Sequence, residues 1–341
     1  MTNFARRVTG TRRGAGLSGR LATVMSEPPR TPPDRAPHAA SAPRTGGHAA
    51  SLVLRGADLL AAATRTVARE PRASALFCDI DGTVSPIVSD PYAAVVPQAF
   101  RATLAALAPR LGLLAFVTGR DVRRAAAMVG VGDALYVGLH GFDVLASDGT
   151  VTRDPAAAPY FDRVQAMARR AAALDAERLG LVVEDKGPVL ALHYRQASDA
   201  AATLAVLERE ILQPARALGL ALAGGHFLVE VRPPVAVSKG TAVRRLLDAG
   251  GHDGTQLRTA LFLGDHLTDC TGFAAVHAWA AEADDPGRER RGDLTGGRLA
   301  LAVAALTDET PPEVRDQADV VVAATPGVFE VLAGLLEALS A

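Results

Sequence analysis

Asp79 and Asp81 stand one residue apart in ALFCDIDGT, where four apolar residues give way to acids beside Gly82 and Thr83. Two carboxylates at one strand end repel unless a cation or a shared proton relieves them, and a divalent metal is the simpler relief. Further along, TALFLGD ends in Asp265 with Asp269 four residues on, and LGLLAFVTGR ends in Thr118, Gly119 and Arg120. Oxygen ligands from Asp79, Asp265 and a backbone carbonyl, completed by water, match the octahedron that Mg²⁺ shares with a substrate phosphate. Taken singly, each acid also reads as a helix N-cap or a turn residue, but three apolar runs ending alike weaken that reading. His140, His193, His226 and His266 are scattered singly and only two cysteines occur, Cys78 and Cys270, so no zinc ligand set is offered.

A phosphate also needs donors for its oxygens. Thr118 brings a hydroxyl and backbone N–H groups where a helix begins, a ready anion site. Lys239, in SKGT at the start of another helix, brings a mobile positive charge.

Such groups converge when apolar strands end side by side, because open parallel sheets bind ligands at the carboxyl ends of their strands. From residue 75 the text alternates accordingly: ALFCDI, a helix near 97–110, LGLLAFV, a helix at 121–129. The pattern predicts an α/β fold with a parallel sheet covered on both faces. Near 151 it changes. ERLGLVVEDKGPVLALHYR reads as two strands around a Lys-Gly-Pro turn, ASDAAATLAVLEREILQPARAL as an amphipathic helix, and LALAGGHFLVEVRP as two more strands. An inserted module over 151–232 is therefore expected, dividing a core of 51–150 and 233–341. In the second part SKGTAVRRLLDAG reads as a helix, TALFLGD as a strand and 327–339 as a closing helix, with a charged surface loop at 281–298. Residues 51–70 show helical spacing.

Composition bounds the partners. Residues 1–50 carry eight Arg and no Lys against Glu27 and Asp34, a charge of +6 that leaves −7 on the rest of a chain of net −1. An acidic body argues against a nucleic-acid surface, and no apolar run reaches membrane-spanning length, so the cytoplasm is the expected location. The first 50 residues, rich in Arg, Pro, Ala, Gly and Ser, read as a disordered tail.

The ordered set D-x-D-G-T, apolar strand ending in Thr, downstream Lys and G-D-x-x-x-D resembles the haloacid dehalogenase (HAD) superfamily of phosphotransferases. FVTGR, GLHG, VEDKGPVLALHYR, VEVRPPVAVSKGTAVRRLL, GDHLTD and ETPPEVRDQADVVVAATPGVFEVLAGLL narrow it: residues 72–341 resemble the trehalose-6-phosphate phosphatase family. The resemblance implies a Rossmann-like core with an inserted α+β cap, and Mg²⁺-dependent hydrolysis of a small sugar phosphate, trehalose 6-phosphate, to trehalose and phosphate through an aspartyl-phosphate. By position, Asp79 matches the nucleophile, Asp81 the general acid and base, and Thr118 and Lys239 the groups that hold phosphoryl oxygens. Asp79, Asp265 and the main-chain carbonyl of Asp81 match the metal ligands. Glu184, Lys186, His193 and Glu230 in the cap, with Arg120 and His140 in the core, match the sugar contacts. The chain departs where the family usually writes Gly-Asp-Asp-x-Thr-Asp-Glu: GDHLTDC puts His266 and Cys270 in place of two acids. Metal binding is expected to persist, since Asp265 and Asp269 remain. Two other readings stand beside this one: a phosphatase for a different sugar phosphate, and a silent sugar-phosphate sensor.

Overall fold

Ser74–Cys78 and Thr259–Gly264 carry apolar residues at every interior position, and both are buried along their whole length. Strands of that kind need cover on both faces. The computed structural model describes residues 53–88, 93–225, 227–283, 297–307 and 310–341. The expected tail at 1–50 lies outside them, as does most of the expected loop at 281–298.

The chain begins with β1 (Val53–Arg55), α1 (Ala57–Arg69), β2 (Ser74–Cys78), α2 (Gln98–Leu107), β3 (Leu113–Val117), α3 (Val122–Val129) and β4 (Leu135–Gly138). A meander of β5 (Asp143–Leu145) and β6 (Val151–Arg153) follows, then α4 (Phe161–Ala172), β7 (Val182–Asp185), β8 (Leu190–His193), α5 (Ala200–Leu207), β9 (Ala221–Gly225) and β10 (Leu228–Arg232). The last part comprises α6 (Lys239–Ala249), β11 (Thr259–Gly264), α7 (Cys270–Ala281), β12 (Leu299–Leu306), β13 (Val320–Ala323) and α8 (Ala324–Ala338). None of the helices among the described residues is long and apolar enough to cross a membrane.

Nine strands form one sheet in the order β1-β13-β12-β11-β2-β3-β4-β5-β6. The six strands from β13 to β4 are parallel, and β1, β5 and β6 add antiparallel edges. Side chains alternate between two cores: Leu76, Cys78, Leu114 and Phe116 pack beneath α1, α2, α3 and α8, whereas Ala75, Phe77, Ala115 and Val117 pack beneath α6 and α7. Four further strands make a separate antiparallel sheet, β7-β8-β10-β9, whose apolar face packs on α4 and on the helical run that continues from α5.

Two boundaries differ from those read in the sequence. Residues 151–153 pair with β5 inside the large sheet, so the inserted module starts later than 151. Residues 53–55, expected to be helical, are a strand paired with β13, because Gly56 takes a left-handed conformation (φ 79) that separates them from α1. Strand β12 and helix α7 complete an alternation that the sequence pattern leaves undivided.

Candidate active site

β2 and β11 are neighbours in register, Cys78 opposite Leu263, so Asp79 and Asp265 leave the sheet side by side. The ladder runs one step further, the Asp79 N–H donating to the Leu263 carbonyl at 2.8 Å. Chain reversal then occurs within a few residues. Gly82 adopts φ 82, and a Cβ there would lie 1.9 Å from Asp265 Oδ2, so both conformation and space require glycine. Thr83 Oγ1 donates to Asp265 Oδ1 at 3.3 Å from the same turn.

Three carboxylates converge: oxygens of Asp79, Asp265 and Asp269 lie within 4.8 Å of one another, and all three residues are buried. Asp269 stands just ahead of α7, where its Oδ2 accepts from the backbone N–H groups of Asp265 and His266 at 3.1 and 3.0 Å. Lys239 reaches in from the first turn of α6. Its Nζ lies 2.8 Å from Asp79 Oδ1 and 2.8 Å from Asp269 Oδ1. The Ser238 capping box, in which Ser238 and Thr241 exchange side-chain and backbone bonds, fixes where that helix starts and so where the lysine points.

One ammonium does not balance three acids. Burial, and next the charge of Asp269, raise the pKa of Asp79 well above the usual carboxylate range. The same two causes raise Asp265 to about 7. Burial alone would lower the pKa of Lys239, yet Asp269 and Asp79 outweigh it and hold the ammonium above its ordinary range. A set of buried oxygen donors with surplus negative charge suits a hard divalent cation, since the alternative relief is to retain protons.

Asp81 is turned elsewhere. Its carboxylate is not a member of the three-acid group; it accepts a two-pronged bond from Arg120, Nε to Oδ2 at 2.7 Å and Nη2 to Oδ1 at 2.7 Å, and its side chain is 40% exposed. Thr118 is buried at the end of β3, its Oγ1 accepting from the Arg120 N–H at 3.2 Å.

The sugar candidates of the smaller module share one sheet face. Glu184 and Glu230 both pair with Ala191, and Lys186 follows Glu184 by two residues, the strand period. Lys186 Nζ lies 3.4 Å from Glu184 and 3.9 Å from Glu230, and His193 Nε2 lies 3.3 Å from Glu184 Oε2. Lys186 and Glu230 line a cleft together with Gly119, Leu139, His140, Phe142, Val189 and Arg232. The sequence-derived residues therefore form three neighbouring groups: Asp79, Asp265 and Lys239; Asp81 and Arg120; and the cap set with His140 opposite. Asp269 enters the first group and Arg232 the cleft, although neither was among the assigned site residues. Both carried a legible signal, the four-residue spacing after Asp265 and the two-residue spacing after Glu230. His266, the first departure from the family pattern, is exposed and contributes its backbone N–H to Asp269, while Cys270 is buried with Sγ 3.9 Å from the Glu313 carbonyl. Neither side chain is in the acid group.

His140 is held in a left-handed conformation (φ 59) with its Nδ1 buried and unpartnered among the described residues. Burial, then the charges of Lys239, Lys186 and Arg232, push its pKa down to about 3. Unfolded chain takes up a proton below about pH 6.5 that the folded protein refuses. The contribution of this residue to stability is thus complete above that pH and is lost progressively as pH falls toward 3. His140→Asn, whose side chain tolerates the same backbone, should remove this slope, so that the stability gap between parent and variant changes between pH 7.5 and 4.5 in urea unfolding. Parallel pH curves for the two proteins would contradict it.

The family model for trehalose-phosphatase matches residues 77–286. Trehalose-phosphate phosphatases of Mycobacterium tuberculosis (strain ATCC 25618 / H37Rv) and Mycobacterium bovis (strain ATCC BAA-935 / AF2122/97) are each 34% identical over 238 residues, which is 68% of this chain. The chain spans 58% of the length of these relatives. Among solved structures, the C-terminal domain of the C. albicans trehalose-6-phosphate phosphatase has a TM-score of 0.60 at 23% identity, over 80% of this chain and 95% of that one. A trehalose-6-phosphate phosphatase related protein has a TM-score of 0.57 at 20% identity, over 77% of this chain and 97% of that one. At these identities the two structures bear on the fold, which they share.

Proposed function

Because the chain belongs to the trehalose-phosphatase family, we propose that it is a phosphomonoesterase that hydrolyses trehalose 6-phosphate to trehalose and phosphate in a Mg²⁺-dependent reaction. The observation that carries this reading is the buried Asp79 carboxylate at the end of a central strand, 2.8 Å from Lys239 and grouped with Asp265 and Asp269. Asp79, Asp265, Asp269 and the main-chain carbonyl of Asp81 would hold the cation, which when bound offsets charge on the phosphoryl oxygens.

Asp79 attacks phosphorus in line, and the bond from phosphorus to the sugar oxygen breaks as an aspartyl-phosphate forms. Asp81 gives that oxygen its proton, then takes one from the water whose attack on phosphorus releases Asp79 and phosphate. The Arg120 fork, bound to both Asp81 oxygens at 2.7 Å, must first release at least one of them. Thr118 and Lys239 donate to the phosphoryl oxygens as charge builds on them. Glu184, Lys186, His193 and Glu230, with His140 across the cleft, take the sugar hydroxyls; all are part-buried, and a sugar that covers them but leaves one of these polar groups unpaired is rejected.

Phosphate release from trehalose 6-phosphate, sucrose 6-phosphate and a glucosylglycerol phosphate, each with and without Mg²⁺, tests the reading. Trehalose 6-phosphate should be turned over fastest, and only with the cation. Preference for another ester would replace the substrate, and absence of turnover on all three would favour a silent binder.

A further inference from the structure

Resting on that reading, we infer that Arg232 is the group on the cap that binds the anionic end of the substrate, and that it distinguishes a phosphorylated sugar from a neutral one. Arg232 ends β10, two residues after Glu230, so it shares the sheet face that bears Glu184, Lys186 and Glu230. Val231, between them, is fully buried in the apolar core on the opposite face. Pro233 and Pro234 follow at once, restricting the backbone where the strand leaves the sheet.

The two cations of this face differ in one respect. Lys186 has two carboxylates beside it, Glu184 at 3.4 Å and Glu230 at 3.9 Å, so its charge is already offset and it is suited to neutral hydroxyls. Arg232, part-buried in the cleft with Lys186, Glu230, Gly119 and His140, has a side chain that makes no ion pair and no hydrogen bond among the described residues. The one carboxylate that lines the same cleft, Glu230, is paired with Lys186 and makes no ion pair with Arg232, so the guanidinium gives up hydration there without a direct countercharge. Trehalose cannot supply the missing charge, because it carries hydroxyls alone; a phosphate monoester can, and the planar fork of arginine fits two of its oxygens. Gly119, on the opposite wall, directly follows Thr118, so the cleft opens where phosphoryl donors begin.

The test is calorimetric titration of the full chain with inorganic phosphate and, separately, with trehalose, both in the presence of Mg²⁺. Arg232→Met should weaken phosphate binding about 10- to 100-fold, the range of a lost charged hydrogen bond, and leave trehalose within about twofold. Arg232→Lys should recover a large part of the phosphate affinity, which a role in cleft shape alone would not produce. Arg232→Gln carries the same expectation as Arg232→Met and replaces it if thermal unfolding shows that the Met variant does not fold. Phosphate affinity in the neutral variants within about threefold of the parent, or trehalose weakened as much as phosphate, would overturn the assignment. A parent protein that binds phosphate but not trehalose would instead refute the proposed substrate, with the phosphate comparison still deciding the role of Arg232.

Discussion

Asp79→Asn abolishes phosphate release, lowering turnover by at least about 10³-fold, while the protein stays folded. An amide of the same shape fills the same space but does not attack phosphorus. Stability should not suffer, for a reason internal to the site. Three buried acids face one ammonium, and Asp79 is held well above its ordinary pKa by burial and by Asp269, so the native structure already resists its charge. Replacing it with a neutral group leaves Asp269 and Asp265 for Lys239 and removes one member of the crowd. Thermal unfolding without divalent metal should therefore give a Tm equal to or above that of the parent, alongside a flat phosphate-release trace. Turnover within tenfold of the parent would remove Asp79 from the nucleophile's role, and a large fall in Tm would contradict the account of crowding.

Lys239→Met should have the opposite signature in stability and the same one in turnover. Removing one partner of a buried ion pair leaves charge uncompensated and typically costs about 3–5 kcal/mol. The acids can soften that cost by keeping protons. Carboxylates whose folded pKa is raised contribute stability below their unfolded value, and it is lost as pH rises through the folded value, which is about 7 for Asp265 even with the lysine present. The penalty of Lys239→Met should accordingly be small near pH 5 and largest at pH 8, measured by urea unfolding without metal. Mg²⁺ should return part of it at pH 8, since a cation among the three acids takes over the missing countercharge. A penalty independent of both pH and Mg²⁺ would mean that Lys239 is held by packing rather than by Asp79 and Asp269.

These two expectations rest on residues that differ in how readable they are. Asp79, Asp265 and Thr118 sit directly after apolar runs, and a parallel sheet brings the ends of adjacent strands together as a matter of geometry. The meeting of Asp79 with Asp265 was legible once the alternation of strands and helices was seen. Asp269 is another matter. Its spacing after Asp265 is visible in the text, but its place 2.8 Å from Lys239 depends on α6 and α7 lying side by side on one face of the sheet, a packing that no local pattern encodes. The Arg120 fork on Asp81 is likewise a contact across 39 residues, set by the register of β2 against β3.

By itself, then, the sequence determined which residue types stand at strand ends, the order of core, insert and core, and the alternation that sends Glu230 and Arg232 to one face and Val231 to the other. These are local properties, carried by periods of two and 3.6 residues and by turn chemistry. The tertiary structure alone decided which acid shares its charge with Lys239, that Asp81 is engaged by Arg120, and that Lys186 is ion-paired with carboxylates while the Arg232 side chain makes no ion pair among the described residues. Charge balance depends on distances between segments far apart in the chain, and those distances exist only after the sheets and helices have packed.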